Sequence, residues 1–146
     1  MLLGMTLLLS SSATLLLLLL CYIFYRKLRL NHFLRTAQPE ERFYYEASQI
    51  FLLSALLCGN TKYDKLFAGV TLTEFTESFV QKYTELEKHA CHFCDDYSKI
   101  RYGSHPVTQE CCTFALQYKS ELMMLLSREK GRHALLLYRT RELFRY

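Results

Sequence analysis

Helical periodicity is clearest in residues 71–103, which read TLTEFTESFVQKYTELEKHACHFCDDYSKIRYG. Apolar side chains recur there at steps of three and four residues, which places them on one face of an α-helix. Thr71 followed by Glu74 is the pattern of a capping box, and Gly103 with Pro106 beyond it is a typical helix end. We therefore predict one helix over 72–102, ended by Gly103 in the left-handed conformation that glycine adopts readily. The apolar positions are Leu72, Phe75, Phe79, Tyr83, Leu86, Ala90, Phe93, Tyr97 and Ile100.

The segments on either side of 71–103 also carry helix signals. Pro39 with Glu40 and Glu41 suits a first helical turn, and the apolar residues that crowd 43–58 end at Gly59. Residues 60–70 are predicted to be a loop. A further helix is predicted from about 107, with Gly131 as a candidate break before a last stretch over 133–146. Because no alternating strand pattern occurs, the predicted fold class is all-α, with a bundle of three to four helices after the N-terminal segment.

The predicted helix over 43–58 is more apolar than one packed face requires. A single amphipathic helix buries an apolar stripe a little over about 100° wide. This helix is therefore either central in the bundle or docked on something else, either a partner surface or the bilayer.

The first 25 residues contain no Asp, Glu, Lys or Arg, and eleven of them are leucine. A hydrocarbon core about 30 Å thick is crossed by about 20 apolar residues of helix. The alternative is a cleaved signal peptide, but its basic start, shorter apolar run and small-residue cleavage site are missing here. We predict a retained transmembrane anchor with its basic stop over residues 1–29, a juxtamembrane connector over 30–38 and a cytosolic helical domain over 39–146.

Charge is uneven along the chain, whose formal net charge is +4. Residues 26–35 carry four cations and no acid, residues 36–127 carry eight cations against twelve acids, and residues 128–146 carry six cations against two acids. Cations that follow an apolar span remain on the cytoplasmic side. The basic segment over residues 128–146 is compatible with binding to lipid, with binding to an acidic partner, or with a solvent-exposed helix end. The first basic group is predicted to lie at the membrane surface and consists of Arg26, Lys27, Arg29 and Arg35.

The spacing of residues 89–94, HACHFC, is the one pattern that suggests metal or thiol chemistry. This pattern lies inside a periodic helix, however. The adjacent Cys111 and Cys112 would point to different sides of the next helix, so the four ligands that a structural zinc needs do not converge. Cysteine on an apolar face behaves as a small hydrophobe. We predict no catalytic, cofactor-binding or metal-binding residue and no nucleic-acid partner. A membrane-tethered thiol or metal protein built on Cys91 and Cys94 is the weaker alternative.

Residues 101–109, RYGSHPVTQ, and residues 120–122, SEL, follow a tyrosine-bearing helix. Together with the apolar span, the basic stop and the helical remainder, they resemble the NICE/Spigot-like family of single-pass membrane proteins. Members of that family have a longer region between anchor and helices, a polar tail, and bulky or acidic residues where this chain has Val107, Cys111 and Cys112. The positions that carry the resemblance are Tyr97, Arg101, Tyr102, Gly103, Gln109, Ser120, Glu121 and Leu122.

The resemblance implies a non-enzymatic role. Proteins of this family are similar to accessory subunits of bridge-like lipid-transfer assemblies, which carry phospholipid from the endoplasmic reticulum to another membrane. The implied partners are a large lipid-transfer protein, other small membrane subunits and membrane lipids. The implied location is the endoplasmic reticulum or another endomembrane, with a lumenal N-terminus and a cytosolic C-terminus. The alternative is a small supernumerary subunit of a large inner-mitochondrial-membrane complex. An Arg- and Ser-rich, acid-poor N-terminus would favour it, and this N-terminus does not have that character.

Overall fold

The computed structural model describes the backbone of residues 2–59 and 71–145 and the side chains of residues 12–59 and 71–143. All regular structure in this part of the chain is helical, which confirms the all-α class. The loop predicted over 60–70 lies outside the described residues. The helices are α1 (Leu2–Thr36), α2 (Pro39–Leu57), α3 (Leu72–Lys82), a 3-10 turn (Thr84–Leu86), α4 (Glu87–Tyr102) and α5 (Gln109–Arg145).

The chain divides into two compact units. The first consists of Met1–Thr36 together with Thr140–Tyr146, so that the last turns of α5 group with α1. The second consists of Ala37–Arg139 and contains α2, α3, α4 and most of α5.

Helix α2 is the centre of the second unit. Residues 49–55 are all buried, and consecutive helical residues point about 100° apart. Every side of the helix is therefore covered, which confirms that its excess of apolar residues serves the interior of the bundle. Aromatic rings complete this core: Phe93 of α4 lies 5.7 Å from Phe51 and 6.3 Å from Phe43, measured between ring centroids.

The predicted helix starts are confirmed. Pro39 is the first residue of α2. At the start of α3, the Thr71 amide donates to Glu74 Oε2 over 2.9 Å, and the Glu74 amide donates to Thr71 Oγ1 over 3.3 Å. The hydrogen bond from the Thr71 amide lowers the pKa of the Glu74 carboxyl. These reciprocal bonds satisfy two donors that a helix start leaves open.

The prediction of a single helix over 72–102 is wrong, because the chain leaves helical geometry at Tyr83. This residue has φ −129° and ψ 67°, and the 3-10 turn follows it. The interruption allows the Tyr83 hydroxyl to donate a hydrogen bond of 3.0 Å to the carbonyl oxygen of Leu57. Lys82 Nζ donates to the same oxygen over 3.2 Å. Both bonds satisfy a carbonyl at the end of α2 that has no partner within its own helix.

Gly131 interrupts α5, as predicted, with φ 82° and ψ 169°. After this kink the chain returns to the core of the second unit. The Tyr138 side chain is fully buried, and its hydroxyl donates a hydrogen bond of 3.2 Å to Gln49 Oε1 on α2. Tyr138 is therefore part of the core, whereas Leu136 and Leu137 beside it are exposed.

Gly103 ends α4, but the left-handed conformation predicted for it is wrong. Gly103 has φ −102°, and the residue with positive φ is its neighbour Ser104, at 57°. Glycine is favoured here because the carbonyl oxygen of Lys99 lies close to the position that a Cβ would occupy. A Cβ at Gly103 would lie 2.7 Å from the carbonyl oxygen of Lys99, which already accepts hydrogen bonds from the amides of Gly103 and His105.

We expect Gly103→Ala to lower the free energy of unfolding by about 1 kcal/mol, because crowding at the Lys99 carbonyl outweighs the entropy that alanine removes from the unfolded chain. Urea denaturation of the full chain in mild detergent measures the change. Ser104→Gly is the matched control and should keep or raise stability, since glycine accepts positive φ without strain. A Gly103→Ala variant as stable as the parent would contradict the crowding.

Candidate functional site

The apolar part of α1 is the first candidate surface. The leucines at residues 15–20 are each between 50% and 73% exposed. Because successive helical residues point about 100° apart, this exposure puts apolar surface on every side of the helix. Contiguous apolar surface of this kind marks a membrane or protein interaction site.

No helix among the residues that the structure describes is both long and apolar enough to cross a membrane. The anchor predicted for residues 1–29 includes residues 1–11, whose side chains lie outside the described part. The anchor therefore stays a prediction.

The four basic residues predicted at the membrane surface have two different environments. Arg26 is half-buried, and its Nε donates a hydrogen bond of 3.0 Å to the carbonyl oxygen of Leu143. Lys27, Arg29 and Arg35 are exposed and make no hydrogen bond or ion pair with any described residue. Arg26 thus holds the last turns of the chain against α1, while the other three cations are open to solvent.

The positions that carry the family resemblance divide between core and surface. Tyr97 and Leu122 belong to the core: the Tyr97 ring lies 5.2 Å from that of Phe51, and Leu122 is fully buried. The guanidinium of Arg101 lies over the ring of Tyr44, at 5.9 Å from its centroid. These residues support the fold.

The remaining positions of the resemblance lie on the outside of the second unit. Tyr102 is 78% exposed, and Gln109 and Ser120 are exposed as well. Gly103 ends α4 as described above, and Glu121 lies on α5. The structure therefore does not bring the eight positions into one site. It leaves five of them exposed, namely Arg101, Tyr102, Gly103, Gln109 and Ser120.

A surface cleft of about 450 Å³ lies where α4 and its preceding 3-10 turn meet α5. The Arg128 guanidinium forms an ion pair with Glu85 across it, and His89 Nδ1 lies 3.0 Å from Glu121 Oε2. Sequence reasoning considered His89 only as part of a possible metal-ligand spacing and missed Arg128, because the partners of both residues lie on other elements. The lining residues are Glu85, Leu86, His89, Glu121, Met124, Leu125 and Arg128.

The lining of this cleft combines charged and apolar side chains. A histidine hydrogen-bonded to a carboxylate is half of a nucleophile–base arrangement, but His89 Nδ1 and Glu121 Oε2 form no hydrogen bond with each other. The residues that line the cleft in the described part of the chain include no hydroxyl and no thiol that the histidine could activate. Met124 is instead largely exposed at its edge, and flexible methionine side chains are common at binding surfaces.

Two of the cysteines considered as metal ligands make hydrogen-bond contacts with neighbouring elements. Cys94 Sγ lies 2.8 Å from Thr76 Oγ1 on α3, and Cys112 donates a hydrogen bond of 3.3 Å to the carbonyl oxygen of Pro39. Burial raises the pKa of both thiols, which keeps them protonated and unreactive. Cys91 is exposed. Over the described ranges, no group of three or more His, Cys, Asp or Glu side chains is placed to hold a metal ion.

The chain matches no protein-family model, no curated protein and no solved structure. The resemblance to the NICE/Spigot-like family therefore stays a prediction. Two surfaces remain as candidates for function, namely the apolar and basic surface of α1 and the outer face of α4 and α5.

Proposed function

We propose that this chain is a non-enzymatic, single-pass membrane adaptor subunit of a bridge-like lipid-transfer assembly at the endoplasmic reticulum. The exposure of the leucines at 15–20 on every side of α1 is the observation that supports the proposal most directly. Water makes this arrangement costly, at about 25 cal/mol for each Å² of apolar surface left exposed. A bilayer removes that cost.

The length and order of side chains along α1 fit this position. The 25 uncharged residues, as a helix, extend about 37 Å, which is enough to cross a hydrocarbon core of about 30 Å. Tyr22 and Tyr25 follow the leucines and are exposed, and tyrosine is enriched at membrane–water interfaces. The cations of residues 26–35 come next, on the side that the positive-inside rule makes cytosolic.

The second unit is the part that we expect to contact a protein partner. Its accessible features are the cleft between α4 and α5 and the exposed Tyr102, Gln109 and Ser120. Tyrosine is among the residues that contribute most to protein–protein affinity. Since these three positions belong to the resemblance to the NICE/Spigot-like family, we expect the partner to be the large lipid-transfer protein.

The proposal is tested by a tagged pull-down from gently solubilised membranes, followed by mass spectrometry of the stoichiometric partners. We expect one very large lipid-transfer protein, and we expect Tyr102→Ala to reduce its recovery because an anchoring tyrosine contributes about 2 kcal/mol or more. Leu137→Ala is the matched control, since Leu137 is equally exposed outside these positions. Recovery of respiratory-complex subunits would favour the mitochondrial alternative, and the absence of any stoichiometric partner would contradict an adaptor.

A further inference from the structure

We propose that one face of α1, over residues 25–35, binds the headgroup of an anionic glycerophospholipid. This inference rests on the membrane position given under the proposed function and adds to it a ligand class and a binding site. We call this face the headgroup groove. Its volume is about 580 Å³, and it is lined by Tyr25, Leu28, Arg29, Asn31, His32 and Arg35.

The residues of the headgroup groove share a side of the helix. At about 100° per residue, Tyr25, Leu28, Arg29, His32 and Arg35 fall within about 120° of one another, and Asn31 lies at the edge of the groove, about 40° beyond Arg35. Each of these side chains is exposed. The groove is therefore a continuous surface on which side chains from three successive turns can contact one ligand.

The headgroup groove faces away from the packed side of α1. Leu30 is buried, and its direction differs from the centre of the groove by about 160°. Arg26, which is held by the Leu143 carbonyl, points about 120° away from the same centre. The contacts of the first unit thus use the opposite side of the helix and leave the groove accessible.

The charge of the headgroup groove selects an anion. Arg29 and Arg35 make no ion pair within the described part of the chain, and no Asp or Glu occurs anywhere in residues 1–39. Arginine is well suited to phosphate because its planar guanidinium donates two parallel hydrogen bonds. The two arginines are six residues apart, about 9 Å along the helix axis and about 120° around it. Both long side chains must therefore turn toward the middle of the groove to contact one phosphate group.

The order of side chains along the groove selects a lipid over a free anion. Tyr25 and Leu28 lie at its N-terminal end, next to the exposed leucines, and Arg29 to Arg35 occupy its C-terminal end. A ligand that fills the groove therefore needs an apolar part beside Leu28 and an anionic part beside the arginines. An anionic phospholipid has both parts in this order when α1 crosses the bilayer.

Native mass spectrometry of the full chain in neutral detergent tests this site, with phosphatidylserine and phosphatidylcholine as the lipids added. We expect preferential retention of phosphatidylserine. We expect Arg29→Gln and Arg35→Gln each to weaken that retention by about fivefold, which is the contribution of one cation near an anionic lipid surface. Inorganic phosphate should displace little of the bound phosphatidylserine.

Lys27→Gln is the matched control for the groove. It removes the same charge from an exposed position two residues from Arg29, but on a side of α1 about 140° from the centre of the groove, so retention should stay near that of the parent. Equal losses in all three variants would overturn the site in favour of diffuse attraction. Full displacement by inorganic phosphate would overturn the lipid as its ligand.

Failure of this inference is distinguishable from failure of the proposed function. Alkaline carbonate extraction of membranes reports on the anchor, which depends on the leucines and not on Arg29 or Arg35. A chain that stays in the membrane pellet but shows no preference for phosphatidylserine overturns the headgroup groove alone. A parent chain that leaves the pellet overturns the proposed anchor.

Discussion

Lys119→Met is expected to destabilise the second unit by about 3–5 kcal/mol, because it leaves the Glu46 carboxylate buried without its counter-charge. Lys119 Nζ lies 2.5 Å from Glu46 Oε2, and the two side chains are only 9% and 1% exposed. Lys119 also lies over the ring of Tyr45, at 5.7 Å from its centroid. Urea denaturation of the full chain in mild detergent gives the change in the free energy of unfolding.

Lys99→Met is the matched control for this prediction. Lys99 pairs with Asp95 at the same distance of 2.5 Å, but the side chains of Lys99 and Asp95 are 53% and 59% exposed. We expect this substitution to cost less than about 1 kcal/mol, since water solvates both charges of an exposed pair. Equal effects of the two substitutions would contradict the buried ion pair as the cause.

The double variant Glu46→Met with Lys119→Met separates the unpaired charge from lost packing. Removing both charges abolishes the penalty for burying them, and replacing a buried pair by apolar side chains is often neutral or stabilising. We therefore expect the double variant to regain most of the stability that Lys119→Met loses. A double variant as unstable as the single one would indicate a packing defect instead.

The second large effect is expected for Leu15→Arg combined with Leu18→Arg. Both leucines are strongly exposed on α1, and within the proposed anchor each arginine near the centre of the span costs about 2.5–3.5 kcal/mol. Together they remove about 5–7 kcal/mol of insertion free energy. We expect the chain to move from the membrane pellet to the supernatant in alkaline carbonate extraction.

Leu136→Arg combined with Leu137→Arg is the control for this change. Both residues are as exposed as those on α1, and the substitution adds the same two charges to the second unit. Membrane retention should therefore be unchanged. Retention of the Leu15→Arg, Leu18→Arg variant in the pellet would contradict the anchor.

Local sequence signals predicted the helix starts and one of the breaks. The capping box at Thr71 and Glu74, Pro39 at the start of α2 and Gly131 within α5 each act through backbone groups within a few residues. The break at Tyr83 escaped prediction because the hydrogen bond that accompanies it joins Tyr83 to Leu57, 26 residues earlier in the chain. The apolar periodicity continues through it unchanged.

The contacts of charged residues were also not predictable from the sequence when the partner lies far away along the chain. The four cations of residues 26–35 were evident from the sequence. Their division into one bonded and three exposed side chains was not, because Arg26 donates a hydrogen bond to the carbonyl oxygen of Leu143, 117 residues away. Glu46 and Lys119 likewise pair across the fold. Nothing near either residue in the sequence indicates that its partner is buried beside it.

Gly131 also sets the helical phase of everything that follows it. Tyr138 follows it by seven positions, and its side chain is the largest fully buried one among the described residues. One residue inserted or deleted in this interval rotates Tyr138 by about 100° about the helix axis. The Gln49 hydrogen bond and the ring's place in the core would then be lost together. The spacing between kink and tyrosine is therefore constrained more tightly than most residue identities between them.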